Sequence, residues 1–177
     1  MPWKNGLGTT TQLAIHPPFA SLDSFEWRVS IARVRGSAPF STFDGVERCL
    51  AMLRGEMTLL RNDAAPLHLT TESPPVSFAG NMSAEGRVES DTALDLNLMY
   101  RPAQWTATMH RIRLAEGRTA QAQPTTMLCA LRAASLNIGE RGYDLRPFDL
   151  LRIDIAASLF AVTALDAYMI ALRTHQA

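Results

Sequence analysis

The sequence predicts an all-β protein, a sandwich or a barrel built from short strands. Short apolar or alternating runs recur along the whole chain of 177 residues. Residues typical of turns separate these runs, and helical periodicity is weak almost everywhere. Many short strands with turn residues between them are the pattern of β-sandwiches and β-barrels.

Each predicted strand is a run that is either apolar throughout or alternates apolar and polar residues. In chain order these runs are 10–16, 25–35, 47–54, 57–61, 67–71, 93–101, 106–114, 126–133, 150–155 and 159–164. The intervening segments include Pro17-Pro18, Asp44-Gly45 and Glu116-Gly117, whose residue types favour turns. The best helix candidate is the run 166–173, which could equally be a last strand.

Two runs alternate clearly enough to assign their faces. In the run 25–31, Trp27 shares one face with the other apolar residues, while Arg28 and Ser30 lie on the opposite face. In the run 94–101 the leucines face one side, and Asp95 and Asn97 face the other. Trp27 is therefore predicted in the core rather than beside Arg28. The pair Asp95 and Asn97 is interpreted equally well as a satisfied hydrogen-bond network or as part of a reaction site.

Composition excludes several classes of protein. Seventeen basic residues balance 17 acidic ones, and no basic run gives the footprint of a nucleic-acid binder. The most apolar run, 153–172, is interrupted by Asp154 and Asp166, so no membrane span is predicted. The N-terminus lacks the pattern of a signal peptide, and we expect a cytoplasmic protein. Cys49 and Cys129 lie in apolar runs and are expected as small buried hydrophobes, although a disulfide between them stays open.

The start of the chain, Pro2-Trp3-Lys4-Asn5-Gly6-Leu7-Gly8, combines an ammonium, an amide and two glycines. Such a segment could place side-chain and backbone N–H groups around one small acceptor. The alternative is a solvated terminus, which is what the first residues of most domains are.

A second dense segment is Pro39-Phe40-Ser41-Thr42-Phe43-Asp44-Gly45-Val46-Glu47-Arg48. Pro, Ser, Asp and Gly favour a turn, and the two phenylalanines could pack over a small molecule. Arginine presents a rigid fork of donors that suits a carboxylate. The alternative is a loop held down by its own phenylalanines, with a solvated arginine.

These two segments, together with Trp27-Arg28-Val29-Ser30 and Asp95-Leu96-Asn97-Leu98-Met99, resemble the HutD/Ves family. The resemblance covers roughly the first hundred residues. It implies a bicupin fold, two small antiparallel β-barrels of the RmlC-like cupin or jelly-roll type in one chain. Residues 1–101 would form the N-terminal barrel with the ligand pocket, and 102–177 a degenerate C-terminal barrel, with exchange of strands between the two left open.

The resemblance also implies a link to bacterial histidine utilisation, in which the family is thought to bind a small pathway molecule. Urocanate, formate and formylated or formimino derivatives of glutamate are the candidate ligands, and all bear carboxylates. Carried over by position, the ligand-binding residues are Lys4, Asn5, Gly6, Arg28, Ser30, Phe40, Ser41, Phe43, Arg48 and Asn97. The sequence departs from the usual family residues at Leu7, Gln12, Asp44 and Asn81, which leaves the identity of the ligand open.

Neither a metal nor another cofactor is expected. The four histidines, His16, His68, His110 and His175, are scattered singly, without the spacing of metal ligands. The favoured function is a non-catalytic protein that binds a small carboxylate metabolite. The alternatives are a metal-free enzyme acting on a formylated, formimino or urocanate-like substrate, and a stress-induced module that binds a protein partner. Nucleic acid and membrane are not expected as partners, and a homodimer is left open.

Overall fold

The computed structural model describes residues 1, 3, 6–62, 64–89 and 91–175. Within these residues the protein consists of strands, turns and loops without a helix, which confirms the predicted all-β class. In the described part of the chain no helix is long and apolar enough to cross a membrane.

The chain forms two compact units, Met1–Trp105 and Thr106–Ala177. Each unit contains two antiparallel sheets. The prediction that residues 1–101 and 102–177 each form one cupin barrel, and hence a bicupin, stays a prediction.

Unit 1 contains a five-stranded sheet and a four-stranded sheet. Its strands are β1 (Gly8–His16), β2 (Trp27–Val34), β3 (Ser37–Pro39), β4 (Glu47–Arg54), β5 (Met57–Arg61), β6 (Ala64–Leu69), β7 (Val76–Ala79), β8 (Ala84–Arg87) and β9 (Ala93–Tyr100). The five-stranded sheet has the order β1-β2-β9-β4-β7, and the four-stranded sheet has the order β3-β8-β5-β6. One apolar cluster takes residues from both sheets, so the inner faces of the two sheets share a core.

The long strands β2, β4 and β9 form the centre of the five-stranded sheet. β9 pairs with β2 on one side and with β4 on the other, antiparallel in both cases. Side chains alternate between the two faces of a strand, so the inner face of β9 carries Asp95, Asn97 and Met99. The leucines of β9 lie on its other face and are also buried, which explains why both faces of this sheet are rich in apolar residues.

Unit 2 holds two four-stranded sheets, with orders β10-β17-β12-β15 and β11-β16-β13-β14. Its strands are β10 (Trp105–Leu114), β11 (Thr119–Ala122), β12 (Thr126–Ala130), β13 (Ala134–Ile138), β14 (Arg141–Leu145), β15 (Leu150–Ile153), β16 (Ala157–Ala161) and β17 (Leu165–Thr174). A second apolar cluster, centred on Leu128, Leu136 and Leu159, joins these two sheets.

All ten predicted runs are strands, with ends that differ by a few residues. The helix candidate at 166–173 is wrong, because this run forms the strand β17, whose residues pair with β12 from Ala167 to Ala171. The sequence did not predict strands β8 and β14, which are short and carry a glycine and charged residues. They pair with a neighbour that has an apolar inner face, and that pairing rather than their own pattern makes them strands.

Candidate functional site

The described residues of unit 1 form a cavity of about 510 Å³. Its walls come from the inner face of the five-stranded sheet and from the loop between β3 and β4. The lining residues are Met1, Trp3, Thr10, Leu22, Arg28, Ser30, Ala32, Pro39, Phe40, Ser41, Phe43, Arg48, Asn97 and Met99. The two arginines are the charged residues of this lining, and no acidic residue belongs to it among the described residues.

The register of the central strands places the polar lining residues side by side. Ser30 on β2 lies opposite Asn97 on β9, and Arg28 lies opposite Met99. Arg48 on β4 lies opposite the same Met99 from the other side. The two arginines therefore lie on either side of Met99, on the two strands that pair with β9. Both are buried, with 7% of Arg28 and 3% of Arg48 exposed.

Arg28 is held by a neutral acceptor. Its Nε donates a hydrogen bond to Oε1 of Gln12 over 3.0 Å. Burial lowers the pKa of Arg28 from its usual value, yet a guanidinium retains its proton in proteins. Because the carboxamide of Gln12 carries no charge, it orients Arg28 without neutralising it.

Arg48, on β4, is surrounded by three phenylalanine rings. Its guanidinium carbon lies 5.5 Å from the ring centre of Phe40, 5.3 Å from that of Phe43 and 6.0 Å from that of Phe78. Its Nη2 donates to the carbonyl oxygen of Ser41, whereas its buried Nε has no hydrogen-bond partner among the described residues. Rings near a guanidinium contribute cation–π attraction and leave it poorly hydrated.

The pKa of Arg48 is lowered to about 10. The largest cause is burial; Asp95 opposes it and the positive charge of Arg28 adds to it. The two arginines therefore repel each other inside the protein, and a carboxylate between them would relieve that repulsion.

Beneath the lining lies a buried carboxyl group. Asp95 is 1% exposed and Asn97 is 8% exposed. Both oxygens of Asp95 and Oδ1 of Asn97 lack a hydrogen-bond partner among the described residues. The structure therefore does not show a satisfied hydrogen-bond network at Asp95 and Asn97, which is one of the two interpretations of this pair from the sequence. Burial raises the pKa of Asp95 to about 7, and Arg48 partly counteracts that rise.

The structure gathers most of the predicted ligand-binding residues around the cavity. Arg28, Ser30, Phe40, Ser41, Phe43, Arg48 and Asn97 all belong to its lining. Gly6 does not, and its backbone N–H instead donates to the carbonyl of Trp3 over 3.0 Å at a positive φ of 72°. Lys4 and Asn5 lie outside the described residues. That these side chains bind a ligand stays a prediction.

Trp27 is placed as the strand alternation predicted, away from the cavity and fully buried. Its ring stacks on His16 at 5.5 Å and meets Trp105 edge-on at 6.3 Å. His16 also approaches Glu26, whose carboxylate accepts a hydrogen bond from Nε1 of Trp105 over 2.8 Å. This cluster packs the opposite face of the sheet.

Several lining residues are not among the ligand-binding residues that the sequence predicts: Met1, Trp3, Thr10, Leu22, Ala32, Pro39 and Met99. Trp3 and Thr10 line the cavity together, and the indole of Trp3 donates to Oγ1 of Thr10 over 2.7 Å. Leu22 reaches the lining from the long loop between β1 and β2, and no pattern in that loop marks it. Trp3 is marked in the sequence by its position inside the dense N-terminal segment, residues 2–8.

One arginine outside the lining fastens the loops at the cavity. Nε of Arg101 donates to the carbonyl of Phe25 over 2.8 Å, and its Nη2 donates to that of Asp23 over 2.9 Å. Its Nη1 lies 3.5 Å from the carbonyl oxygen of Asp44. Arg101 thereby joins the loop that bears Leu22 to the loop that bears Phe40 and Phe43.

No three His, Cys, Asp or Glu side chains within the described ranges converge so as to hold a metal ion. The expectation that the protein uses no metal or other cofactor stays a prediction.

The family model described as HutD matches residues 1–170. The chain is 36% identical over 115 residues to Protein Ves of Citrobacter koseri, a match that spans 64% of this chain and 58% of that protein. It is 30% identical over 159 residues to a 21.2 kDa protein in the hutC 3′ region of Pseudomonas putida, which spans 87% of this chain and 81% of the relative.

Solved structures resemble the fold over nearly the whole chain. HutD from Pseudomonas fluorescens SBW25, determined in a formate condition, has a TM-score of 0.80 and 25% identity, covering 99% of this chain and 94% of that one. A cupin 2 conserved barrel domain protein from Leptotrichia buccalis has a TM-score of 0.63 at 6% identity, covering 95% of this chain and 89% of that one. The second likeness shows that the fold is of the cupin type.

Proposed function

Since the chain belongs to the HutD family, we propose that the cavity of unit 1 binds a small carboxylate-bearing metabolite without chemically converting it. We further propose that this binding takes part in regulating bacterial histidine degradation. The support for that setting is the relative in the hutC 3′ region of Pseudomonas putida.

The observation that carries the proposal is the pair of buried arginines facing one cavity. Arg28 and Arg48 are both at least nine-tenths buried, and each is oriented by a neutral acceptor. Buried charges are normally paired, because an isolated ion loses its hydration. A carboxylate in the cavity would pair with the guanidinium groups through charge-assisted hydrogen bonds, each worth roughly 1.5–3 kcal/mol.

The remaining lining favours a ligand with an apolar or planar body. Phe40, Phe43, Met99 and Ala32 give apolar walls, and Ser30 and Asn97 add polar groups on one side. A volume of about 510 Å³ lies within the usual range of small-molecule sites. Formate alone would leave much of this space to water, so urocanate and the formyl or formimino derivatives of glutamate suit the cavity better.

The test is thermal unfolding of the protein with and without urocanate, formate, N-formylglutamate and formiminoglutamate. A ligand present at about a hundredfold its dissociation constant adds about 2.7 kcal/mol of stability. We expect at least one of the larger carboxylates to raise Tm. Arg48→Met should lose this rise, whereas the matched control Arg87→Met, which changes an exposed arginine on β8, should retain it.

Two results would contradict the proposal. Absence of a rise with every carboxylate would remove the binding function and favour the protein-partner alternative. Consumption of a bound ligand over time, followed by chromatography and abolished by Arg48→Met, would show a metal-free enzyme instead of a binding protein.

A further inference from the structure

Asp95 is a buried carboxyl group next to the cavity but outside its lining. It stands two residues before Asn97 and four before Met99, on the face of β9 that carries both to the lining. Its neighbours across the sheet are Ala32 on β2 and Met52 on β4. Neither of its oxygens has a hydrogen-bond partner among the described residues.

The charged groups that face Asp95 come from the arginine pair. On β2 the charged residue of this face is Arg28, which is oriented by the neutral Gln12 of β1. On β4 it is Arg48, the residue whose positive charge opposes the effect of burial on Asp95. The inner face of the five-stranded sheet is thus cationic apart from Asp95 itself.

The four-stranded sheet opposite contributes an apolar surface. Its buried residues in the shared core are Ala38, Met57, Leu59, Leu69 and Ala84. The charged residues on its strands include Arg61, at the end of β5, and Glu85, which pairs with Arg87 at 3.7 Å. His68 on β6 approaches Glu56 at 3.4 Å. These two pairs satisfy each other, whereas Nε of Arg61 is buried without a hydrogen-bond partner among the described residues. Arg48 is the group whose charge acts on Asp95.

We propose that Asp95 is a proton-binding site coupled to the ligand cavity, so that binding of a carboxylate ligand is accompanied by uptake of up to one proton from solvent. This inference rests on the proposed function and adds to it. The negative charge of the ligand is matched by the proton that binds an oxygen of Asp95, and no other bond forms or breaks.

The reason is competition for Arg48. In the empty cavity the positive charge of Arg48 supports the ionised form of Asp95. A ligand carboxylate that pairs with Arg48 cancels this support and brings a second negative charge close to a buried, unpartnered carboxylate. A buried carboxyl group in that position binds a proton rather than remain charged. Burial already raises the pKa of Asp95 to about 7, so this carboxylate can take up a proton near neutral pH.

The consequence for binding follows by linkage. If the bound state holds one more proton than the empty state, the affinity for the carboxylate falls as pH rises through the neutral range. Because some of the ligand-free molecules already hold the proton near neutral pH, we expect uptake of less than one proton per ligand, increasing as pH rises through the neutral range.

Isothermal titration calorimetry measures this uptake directly. We would titrate the full chain with N-formylglutamate in phosphate and in Tris, buffers that differ strongly in their heat of ionisation. Both carboxylates of this probe stay ionised throughout the neutral range, so a proton taken up from the buffer binds to the protein and not to the ligand. The difference in binding heat between the buffers gives the number of protons taken up. Formate is the second probe, with the same expected sign.

Variants assign the proton to Asp95. Asp95→Asn keeps the shape of the side chain but cannot ionise, so its uptake should vanish and its affinity should become independent of pH. The control Glu140→Gln makes the same chemical change at an exposed turn of unit 2 and should behave as wild type. A thermal unfolding curve establishes that each variant is folded, and the wild-type measurement stands even if Asp95→Asn does not fold.

The outcomes separate this inference from the proposed function. No binding heat with either probe, together with no rise in Tm for any carboxylate, overturns the proposed function. Binding with the same heat in both buffers overturns the proton-coupling inference alone. Proton uptake that persists in Asp95→Asn also overturns it, because the proton must then bind elsewhere.

Discussion

At the scale of single residues, the charged groups in and beside the cavity are incompletely paired. Arg28 and Arg48 are oriented by neutral oxygens of Gln12 and Ser41, while the nearby carboxyl group of Asp95 has no hydrogen-bond donor among the described residues. Leaving buried polar groups unpaired costs stability. Under the proposed function, a bound carboxylate would supply the partner of opposite charge that the two arginines lack.

The side chain of Gln12 is uncharged, so it leaves the positive charge of Arg28 uncompensated. This absence of a negative charge should determine how strongly the cavity attracts anions. Gln12→Glu would place a carboxylate on Arg28 at hydrogen-bond distance and repel a ligand carboxylate nearby. We expect the affinity for N-formylglutamate to fall about tenfold, which equals about 1.4 kcal/mol, as measured by calorimetry. The same change at Gln121, an exposed residue of β11 in unit 2, is the control. Unchanged affinity in Gln12→Glu would show that Arg28 does not contact the ligand.

Asp95 should also make the stability of the ligand-free protein depend on pH. Its pKa is raised in the folded protein from 3.8 to about 7, so the folded state binds more protons than the unfolded state between these values. Its stabilising contribution is therefore complete below about pH 4 and is lost as pH rises through about 7, a change on the order of 4 kcal/mol.

Urea unfolding at about pH 5 and about pH 8 tests this dependence. We expect the free energy of unfolding to fall more steeply with pH in the wild type than in Asp95→Asn. Parallel curves for the two proteins would show that Asp95 is ionised normally in the folded state.

At the scale of elements, most strands are readable because their own residues determine both pairing and face. Strand β9 is an example, since its alternation placed Asp95 and Asn97 on one face and the leucines on the other. Strand β17 shows the limit, because a run such as 166–173 is apolar enough for either structure, and its pairing with β12 decides. Strand β8 is short and contains Gly86, and it exists because β3 and β5 flank it.

The same contrast holds for the candidate site. Arg28, Ser30 and Asn97 could be assigned to one surface from strand alternation, and Arg48 and its phenylalanines from a family resemblance. Leu22 and Arg101 could not be assigned, since their roles depend on where two loops meet. Arg101 donates to main-chain carbonyls, and such acceptors leave no trace in the sequence.

Arg101 should fix the geometry of both loops at the cavity. Arg101→Met keeps much of the side-chain volume but removes the donors to the carbonyls of Phe25 and Asp23. The carbonyl of the buried Phe25 then lacks a partner, whereas that of the exposed Asp23 can bind water. We expect unfolding to become easier by about 1–3 kcal/mol and ligand affinity to fall, as measured by urea unfolding and calorimetry. Arg87→Met is the control. A variant with wild-type stability and affinity would show that the loops hold themselves.

At the scale of the whole molecule, each of the two units contains one cysteine. Cys49 lies on β4 of unit 1 and Cys129 on β12 of unit 2, both buried and unpaired. The disulfide that the sequence left open is therefore absent. Burial raises the pKa of Cys49, and it raises that of Cys129 to about 12, so neither thiol readily forms the reactive thiolate.

We expect both thiols to react with a disulfide reagent at least on the order of a hundredfold more slowly than glutathione. Each thiol should become reactive only when its own unit opens. The variant Cys49→Ala retains Cys129 and reports the opening of unit 2, and Cys129→Ala retains Cys49 and reports the opening of unit 1. The colour released by the reagent gives the rates. Rapid, stoichiometric labelling of either thiol in the native protein would contradict the burial described for it.

The indole of Trp3 has a consequence for how the protein can be observed. Trp3 lines the cavity, whereas Trp27 is fully buried and Trp105 is 7% exposed, both outside the lining. A molecule that fills the cavity displaces water from one indole and leaves the other two in unchanged surroundings. The ultraviolet emission of the unlabelled protein should then shift to shorter wavelength as the cavity fills. The fluorescence of Trp3 should therefore report whether the cavity is occupied, and it can be followed during a titration without a dye.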